Sequence, residues 1–261
     1  MQSKLESKDK VSPERWNQAQ NWEKRHWEKS QRAMAKHGRN LMWKVLNLFG
    51  AVGKYRGDDW NLWWKNAFNG YSFLPTTVGT ALEAGCGPYT NMRHITEVCR
   101  PDHLFLSDPL IKTYVNFKLN FVSDAYRKGF CMLDDFPLEN LPYKDAFFDL
   151  TVMINVLDHV MDAEICMRNI QRVVKPGGWL IIAQDLTDEE DLENRKAAGR
   201  TVEVGDTGHP ITLAPKWFDH TLNRSDYETV IDKILPREAG RSPEHHCGTF
   251  MFAGRRKSNA V

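Results

Sequence analysis

Two acids, two glycines and a few imidazoles are the side chains whose types and spacing could do chemistry in this chain. In Ala81-Leu82-Glu83-Ala84-Gly85-Cys86-Gly87-Pro88 an apolar run closes on an acid and then turns through two glycines. Gly85 and Gly87 let the backbone approach a ligand with no Cβ in the way. A second acid, Asp108, follows Leu104-Phe105-Leu106-Ser107, and a carboxylate there suits a ribose diol, accepting from both hydroxyls. Glu83 would repel a pyrophosphate, and Thr90 stands where a dinucleotide loop carries its third glycine. A nucleoside bearing a cationic group in place of phosphates fits this pattern better, and S-adenosylmethionine is such a ligand.

Asp158 and His159 follow the apolar run 149–155 and form the best-placed acid/base pair. His209, in Gly208-His209-Pro210-Ile211, lies in a polar stretch that should arch over an acceptor. Each has a plainer alternative: a helix cap with a partly buried histidine for the first two, and an ordinary loop residue for the third. Catalysis of group transfer can rest on alignment alone, and a general base adds about 10²–10⁴-fold. His245-His246-Cys247 invites a metal reading, but adjacent side chains of a strand alternate faces. No metal site is therefore expected there.

These residues need a scaffold with strands ending at one edge. Apolar runs over 78–84, 104–107, 130–133, 149–155 and 177–184 read as strands, and 91–99, 112–128 and 163–174 read as helices between them. Residues 228–235 and 246–254 suit a closing antiparallel pair, while 185–225 is polar and irregular. Strands apolar on both faces and alternating with helices imply a doubly wound parallel sheet.

Glu83-Ala84-Gly85-Cys86-Gly87, Asp108, the run Asp149–Asn155 and Lys175-Pro176-Gly177-Gly178-Trp179-Leu180 occur in the order and spacing of class I S-adenosylmethionine-dependent methyltransferases. The stretch 140–149 followed by Val156-Leu157-Asp158-His159-Val160 resembles the subgroup acting on small molecules, lipids or sugars. The resemblance covers roughly residues 78–184. It implies a Rossmann-like seven-stranded α/β sheet with a reversed last strand and S-adenosylmethionine as cofactor. By matching position, Glu83, Gly85 and Gly87 would lie along the methionine part, Asp108 would hold the ribose, and Pro109-Leu110 would flank the adenine. Asn155 and Val156 would line the cofactor and face the acceptor. The adenine contact is open between Asp134 and Asp135 with Phe136, because Leu133–Asn140 is longer than the family's usual element.

The remaining residues bear on the acceptor. The chain has 35 Lys+Arg against 34 Asp+Glu, a net +1 that argues against a nucleic-acid partner. Residues 1–60 alone hold 13 Lys/Arg against 7 Asp/Glu, and seven of the nine tryptophans fall within the first 64 residues. Trp27, Gln31, Met34, Gly38, Leu41, Val45 and Leu48 recur at helical steps, which predicts two helices broken at Gly38. The expected organisation is a tryptophan-rich helical cap over 1–75 and a cofactor domain over 76–261, with 185–225 as a lid. Trp60, Trp63, Trp64 and Tyr71, nearest the glycine loop in sequence, are the expected acceptor contacts. Five scattered cysteines, no leader-like apolar segment and no membrane span point to a cytoplasmic protein. The expected reaction is methyl transfer to an oxygen or nitrogen of a small or glycan-like acceptor. A nicotinamide oxidoreductase and a non-catalytic cofactor-binding scaffold remain as alternatives.

Overall fold

The computed structural model describes residues 8–37, 59–118, 120–197 and 208–258. Its centre is a seven-stranded sheet: β1 (Thr77–Ala84), β2 (Arg100–Ser107), β3 (Cys131–Asp134), β4 (Phe148–Ile154), β5 (Val174–Leu186), β6 (Tyr227–Pro236) and β7 (Gly248–Arg256). The order across the sheet is β3-β2-β1-β4-β5-β7-β6. β1 to β5 are parallel, and β7 runs antiparallel to both neighbours, as expected.

Period-2 alternation along apolar strands explains why both faces are covered. Leu180, Ile182, Phe250 and Phe252 enter one core cluster, with Cys166, Met167 and Ile170 of a helix over Ala163–Arg172. Ile181, Ala183, Met251 and Ala253 enter the other, with Trp64, Phe68, Met92 and Val122. A helix over Asp59–Ala67 packs on that second side.

The helices depart from expectation where polar side chains cut them. The helix expected over 112–128 is two pieces, Ile111–Tyr114 and Phe121–Arg127, because the Asn120 side chain accepts from Ser123 N at 3.1 Å and caps the second. The helix expected over 91–99 is only Met92–Ile95, followed by a turn. The stretch 185–225 is less irregular than its composition suggests. It carries helices over Glu189–Ala197 and Trp217–Thr221, the latter held by Phe218 stacked on Phe250 at 3.8 Å.

The long helix α1 (Pro13–His37) begins with proline, whose missing N–H is no loss at a helix start. The segment before it is pinned by backbone bridges Lys8↔Thr212 and Lys10↔Asp162. Trp16 Nε1 and Gln20 Nε2 both donate to the His159 carbonyl, at 3.1 and 3.3 Å, and lay α1 across the carboxyl ends of the strands. The second helix expected beyond Gly38 lies outside the described residues. Among the described residues no helix is long and apolar enough to cross a membrane.

Candidate active site

Strand order reverses between β1 and β4, and the loops at their carboxyl ends part there to leave a crevice. A cavity of about 560 Å³ occupies it. Gly85 and Gly87 form its floor with φ of +67° and +56°, where any side chain is strained. A Cβ on Gly85 would lie 2.4 Å from Val156 Cγ1, so this turn packs directly on the end of β4. A Cβ on Gly87 would meet nothing within 4 Å.

Glu83 sits elsewhere than expected. It is 1% exposed and does not line the cavity. Its carboxylate accepts from Asn91 N (2.8 Å), Asn91 Nδ2 (3.0 Å), Met92 N (3.1 Å) and the Thr90 hydroxyl. Burial pushes its carboxyl up, and these four donors oppose that shift. Glu83 therefore shapes the loop from beneath rather than forming the cavity wall. Thr90, in the third-glycine position, is one of its donors.

Asp108 does reach the cavity wall, with Pro109 and Leu110 beside it. Its oxygens accept from Gly87 N (3.0 Å) and Leu110 N (2.8 Å), tying the ends of β1 and β2 together. Burial pushes the carboxyl up to about 6 despite those two donors. Neither adenine candidate lines the cavity. Asp134 accepts from the Tyr143 hydroxyl, Asp135 pairs with Lys112 at the surface, and Phe136 is 39% exposed. The chain bends after β3 so that Pro137, Leu138 and Glu139 take that wall instead. Glu139 is held by Met161 N and Asp162 N at 2.7 and 3.0 Å.

Asn155 and Val156 line the cavity at the end of β4. Asn155 has φ +55°, a left-handed conformation that asparagine tolerates, and its Oδ1 accepts from Asp185 N at 3.2 Å. Just beyond, the structure brings Asp158, His159 and His209 together. His209 Nδ1 lies 2.6 Å from Asp158 Oδ2, and the two imidazole centroids are 4.3 Å apart. His159 Nδ1 donates to the Gly208 carbonyl at 2.9 Å. Asp158 is buried behind the rings. Burial alone would raise its carboxyl, but the adjoining imidazoles and the His209 hydrogen bond hold it well below the usual carboxylate range. His159 and His209 face the cavity; Asp158 backs them.

The aromatic wall differs most from expectation. Trp64 lines the cavity, but Trp63 packs at the edge of the core and Tyr71 is fully buried against Phe68. The Trp60 side chain lies outside the described residues. In their place α1 supplies Trp16, Trp22 and Trp27, and the glycine loop adds Tyr89. Trp27 is set by its Nε1 bond to Glu23 Oε2 (2.8 Å) and by an edge contact with Tyr89. Their i, i+6 and i+11 spacing does not mark a single helix stripe, and which residues meet the cavity depends on how α1 docks.

The β6–β7 connection differs from the expectation that placed 246–254, and with it His245-His246-Cys247, on a strand with alternating faces. His245 and His246 lie on that turn, because β7 begins at Gly248, and both line the cavity with Arg241 and Glu244. Arg241 Nε donates to buried Asp185 at 2.9 Å, and its guanidinium stands 5.6 Å from the Trp64 ring.

Comparison with known proteins agrees with this architecture. A family described as a methyltransferase domain matches residues 82–182. The chain is 28% identical over 103 residues to cycloartenol-C-24-methyltransferase of Arabidopsis thaliana, covering 38% of this chain and 30% of that one. The chain spans less than a third of the length of the curated relatives it matches. Among solved structures, the N-methyltransferase NodS from Bradyrhizobium japonicum WM9 superposes with a TM-score of 0.53 at 14% identity, over 77% of this chain and 98% of that one. The [4+2]-cyclase SpnF superposes at 0.52 with 16% identity, over 74% and 80%. The glycine turn, the sheet order and the family match agree: the chain has the fold of the methyltransferases it resembles, and residues 82–182 match the methyltransferase-domain family.

Proposed function

We propose that this protein transfers a methyl group from S-adenosylmethionine to an oxygen or nitrogen of a small, ring-bearing or glycan-like acceptor. One observation carries the reading: a single cavity joins a glycine-and-carboxylate wall to a histidine wall under an aromatic cover. The first wall suits the cofactor. Gly85 and Gly87 keep the floor clear of side chains, Asp108 offers oxygens to the ribose diol, and Pro109, Leu110 and Leu138 offer apolar contact to a base. When bound, the cofactor supplies an electrophilic methyl on a sulfonium, and the acidic surroundings of Asp108 favour that positive charge.

The chain's own residues then have three tasks. Trp16, Trp22, Trp27 and Trp64 hold a ring or sugar face and exclude water. Asn155 and Val156 bound the space between the two ligands. His209 and His159, with Asp158 behind them, handle the acceptor's proton. With Nδ1–H donated to Asp158, His209 presents Nε2 as the basic nitrogen, the tautomer that proton abstraction requires. Residues 1–75 serve as the cap, residues 76–261 as the catalytic domain and 185–225 as the lid. Five unpaired cysteines are consistent with a cytoplasmic setting.

The fold alone does not decide among chemistries, since the same sheet serves a cyclase. Calorimetry with S-adenosylmethionine and S-adenosylhomocysteine decides the first step. Micromolar binding of both is expected; no heat at millimolar ligand would end the proposal.

A further inference from the structure

Glu23, His159 and His209 approach one another from three separate parts of the chain: α1, the loop after β4 and the lid. One carboxylate oxygen of Glu23 and one nitrogen of each imidazole lie within 4.8 Å of one another. We propose that these three residues bind a divalent first-row transition ion, with zinc as the type case, at the acceptor end of the cavity. The proposal rests on the reading of this cavity as the acceptor site, though not on the identity of the acceptor.

The donor chemistry supports a transition ion over magnesium or calcium. Two imidazoles and one carboxylate form a mixed nitrogen–oxygen set, whereas the hard cations take oxygen ligands. Glu23 Oε1 and His159 Nδ1 are 3.6 Å apart, close to the roughly 3.4 Å between two ligands on a tetrahedral ion with bonds of about 2.0–2.1 Å. Glu23 Oε2 is held by Trp27, so Oε1 is the oxygen turned to the histidines.

The shell behind the histidines supplies a second, independent observation. Metal-bound histidines donate their other N–H to a carboxylate or carbonyl. Asp158 Oδ2 already holds His209 Nδ1 at 2.6 Å. Asp158 Oδ1 is buried with no hydrogen-bond partner and lies 3.7 Å from His159 Nε2. Ligation through His159 Nδ1 would exchange that nitrogen's hydrogen bond to the Gly208 carbonyl for the ion and move the ring's proton to Nε2, 3.7 Å from that unsatisfied oxygen. One carboxylate would then back both imidazoles. Among the described residues, the ion pairs of Glu23 and Asp158 run only to these imidazoles, so two carboxylates share the corner without a lysine or arginine. Three protein ligands leave a coordination position facing the cavity; with the ion bound, His209 Nε2 is a ligand and no longer a base, and the ion takes over its task by making a bound hydroxyl lose its proton to solvent more readily.

The test is titration of the metal-stripped full chain with zinc, with magnesium as the control, followed by metal counting after gel filtration. One zinc per chain and no magnesium binding are expected. Glu23→Gln and His209→Gln should each weaken zinc binding by more than 10-fold, and Asp158→Asn by about 10–100-fold through the outer shell. Cys247→Ser should leave affinity unchanged; it removes the other arrangement of possible ligands among the described residues, Asp188, Asp191 and Cys247. No stoichiometric zinc, or zinc binding equal to wild type in both the Glu23 and His209 variants, overturns the proposal. If one of those variants fails to fold, the other decides. S-adenosylhomocysteine titrated into the same samples separates the two ideas. Cofactor binding without zinc removes only the metal site, and zinc without cofactor removes only the methyltransferase reading.

Discussion

His209 Nδ1 lies 2.6 Å from Asp158 Oδ2, a contact between residues 51 positions apart that joins the segment between β5 and β6 to the loop after β4. The short charge-assisted bond orients the ring and fixes which nitrogen faces the cavity. Removing the orienter should therefore cost much of what removing the histidine costs. His209→Ala and Asp158→Asn are each expected to lower kcat by about 10²–10⁴-fold. Affinity for S-adenosylhomocysteine should change little. Steady-state kinetics with the acceptor, beside calorimetry, checks this; unchanged kcat in both would leave alignment alone as the source of rate.

Asp108 should dominate cofactor affinity, so Asp108→Ala should weaken S-adenosylhomocysteine binding far more than Asp158→Ala does. Equal losses would refute the ribose assignment.

The same residue sets a pH dependence. Burial holds Asp108 up to about 6, whereas an unfolded aspartate sits near 3.9. Between those values the folded protein keeps a proton that the unfolded chain has lost, so this group's contribution to stability falls as pH rises through the window. A ribose donating to the carboxylate prefers the ionised form, so cofactor affinity should rise through the same window and level off above it. Calorimetry from pH 5 to 8 should show this in wild type and lose it in Asp108→Asn.

Gly85→Ala places a Cβ 2.4 Å from Val156 Cγ1 at a φ of +67°. A loss of about 2–4 kcal/mol in folding stability is expected from overpacking and backbone strain together. Val156→Ala in the same chain should restore only the packing part. Urea denaturation of the single and double variants measures the split, and full recovery would show that strain contributes nothing.

Trp16 and Gln20 both donate to the His159 carbonyl. Trp16→Phe with Gln20→Ala should loosen α1 by about 1–3 kcal/mol. Limited proteolysis should then cut within residues 13–37 while the cofactor domain stays intact. Protection equal to wild type would mean that the backbone bridges to Thr212 and Asp162 suffice.

The amino-acid sequence by itself determined the sheet, the glycine turn and the position of Asp108. These follow from local rules: period-2 apolar runs, glycine where φ is positive, and an acid directly after a strand. It also marked Asp158, His159 and His209 as reactive types, without saying that they meet. Only the tertiary structure decided that meeting, because the approach of the β5–β6 segment to β4 depends on packing between residues about fifty positions apart. It also drew Glu83 beneath the loop, where four backbone and side-chain donors needed a buried acceptor. The same long-range docking chose Trp16, Trp22 and Trp27 for the cavity over Trp63 and Tyr71. Proximity in sequence to the glycine loop was no guide there, since a helix laid across strand ends brings distant residues closer to the site than neighbours that turn into the core.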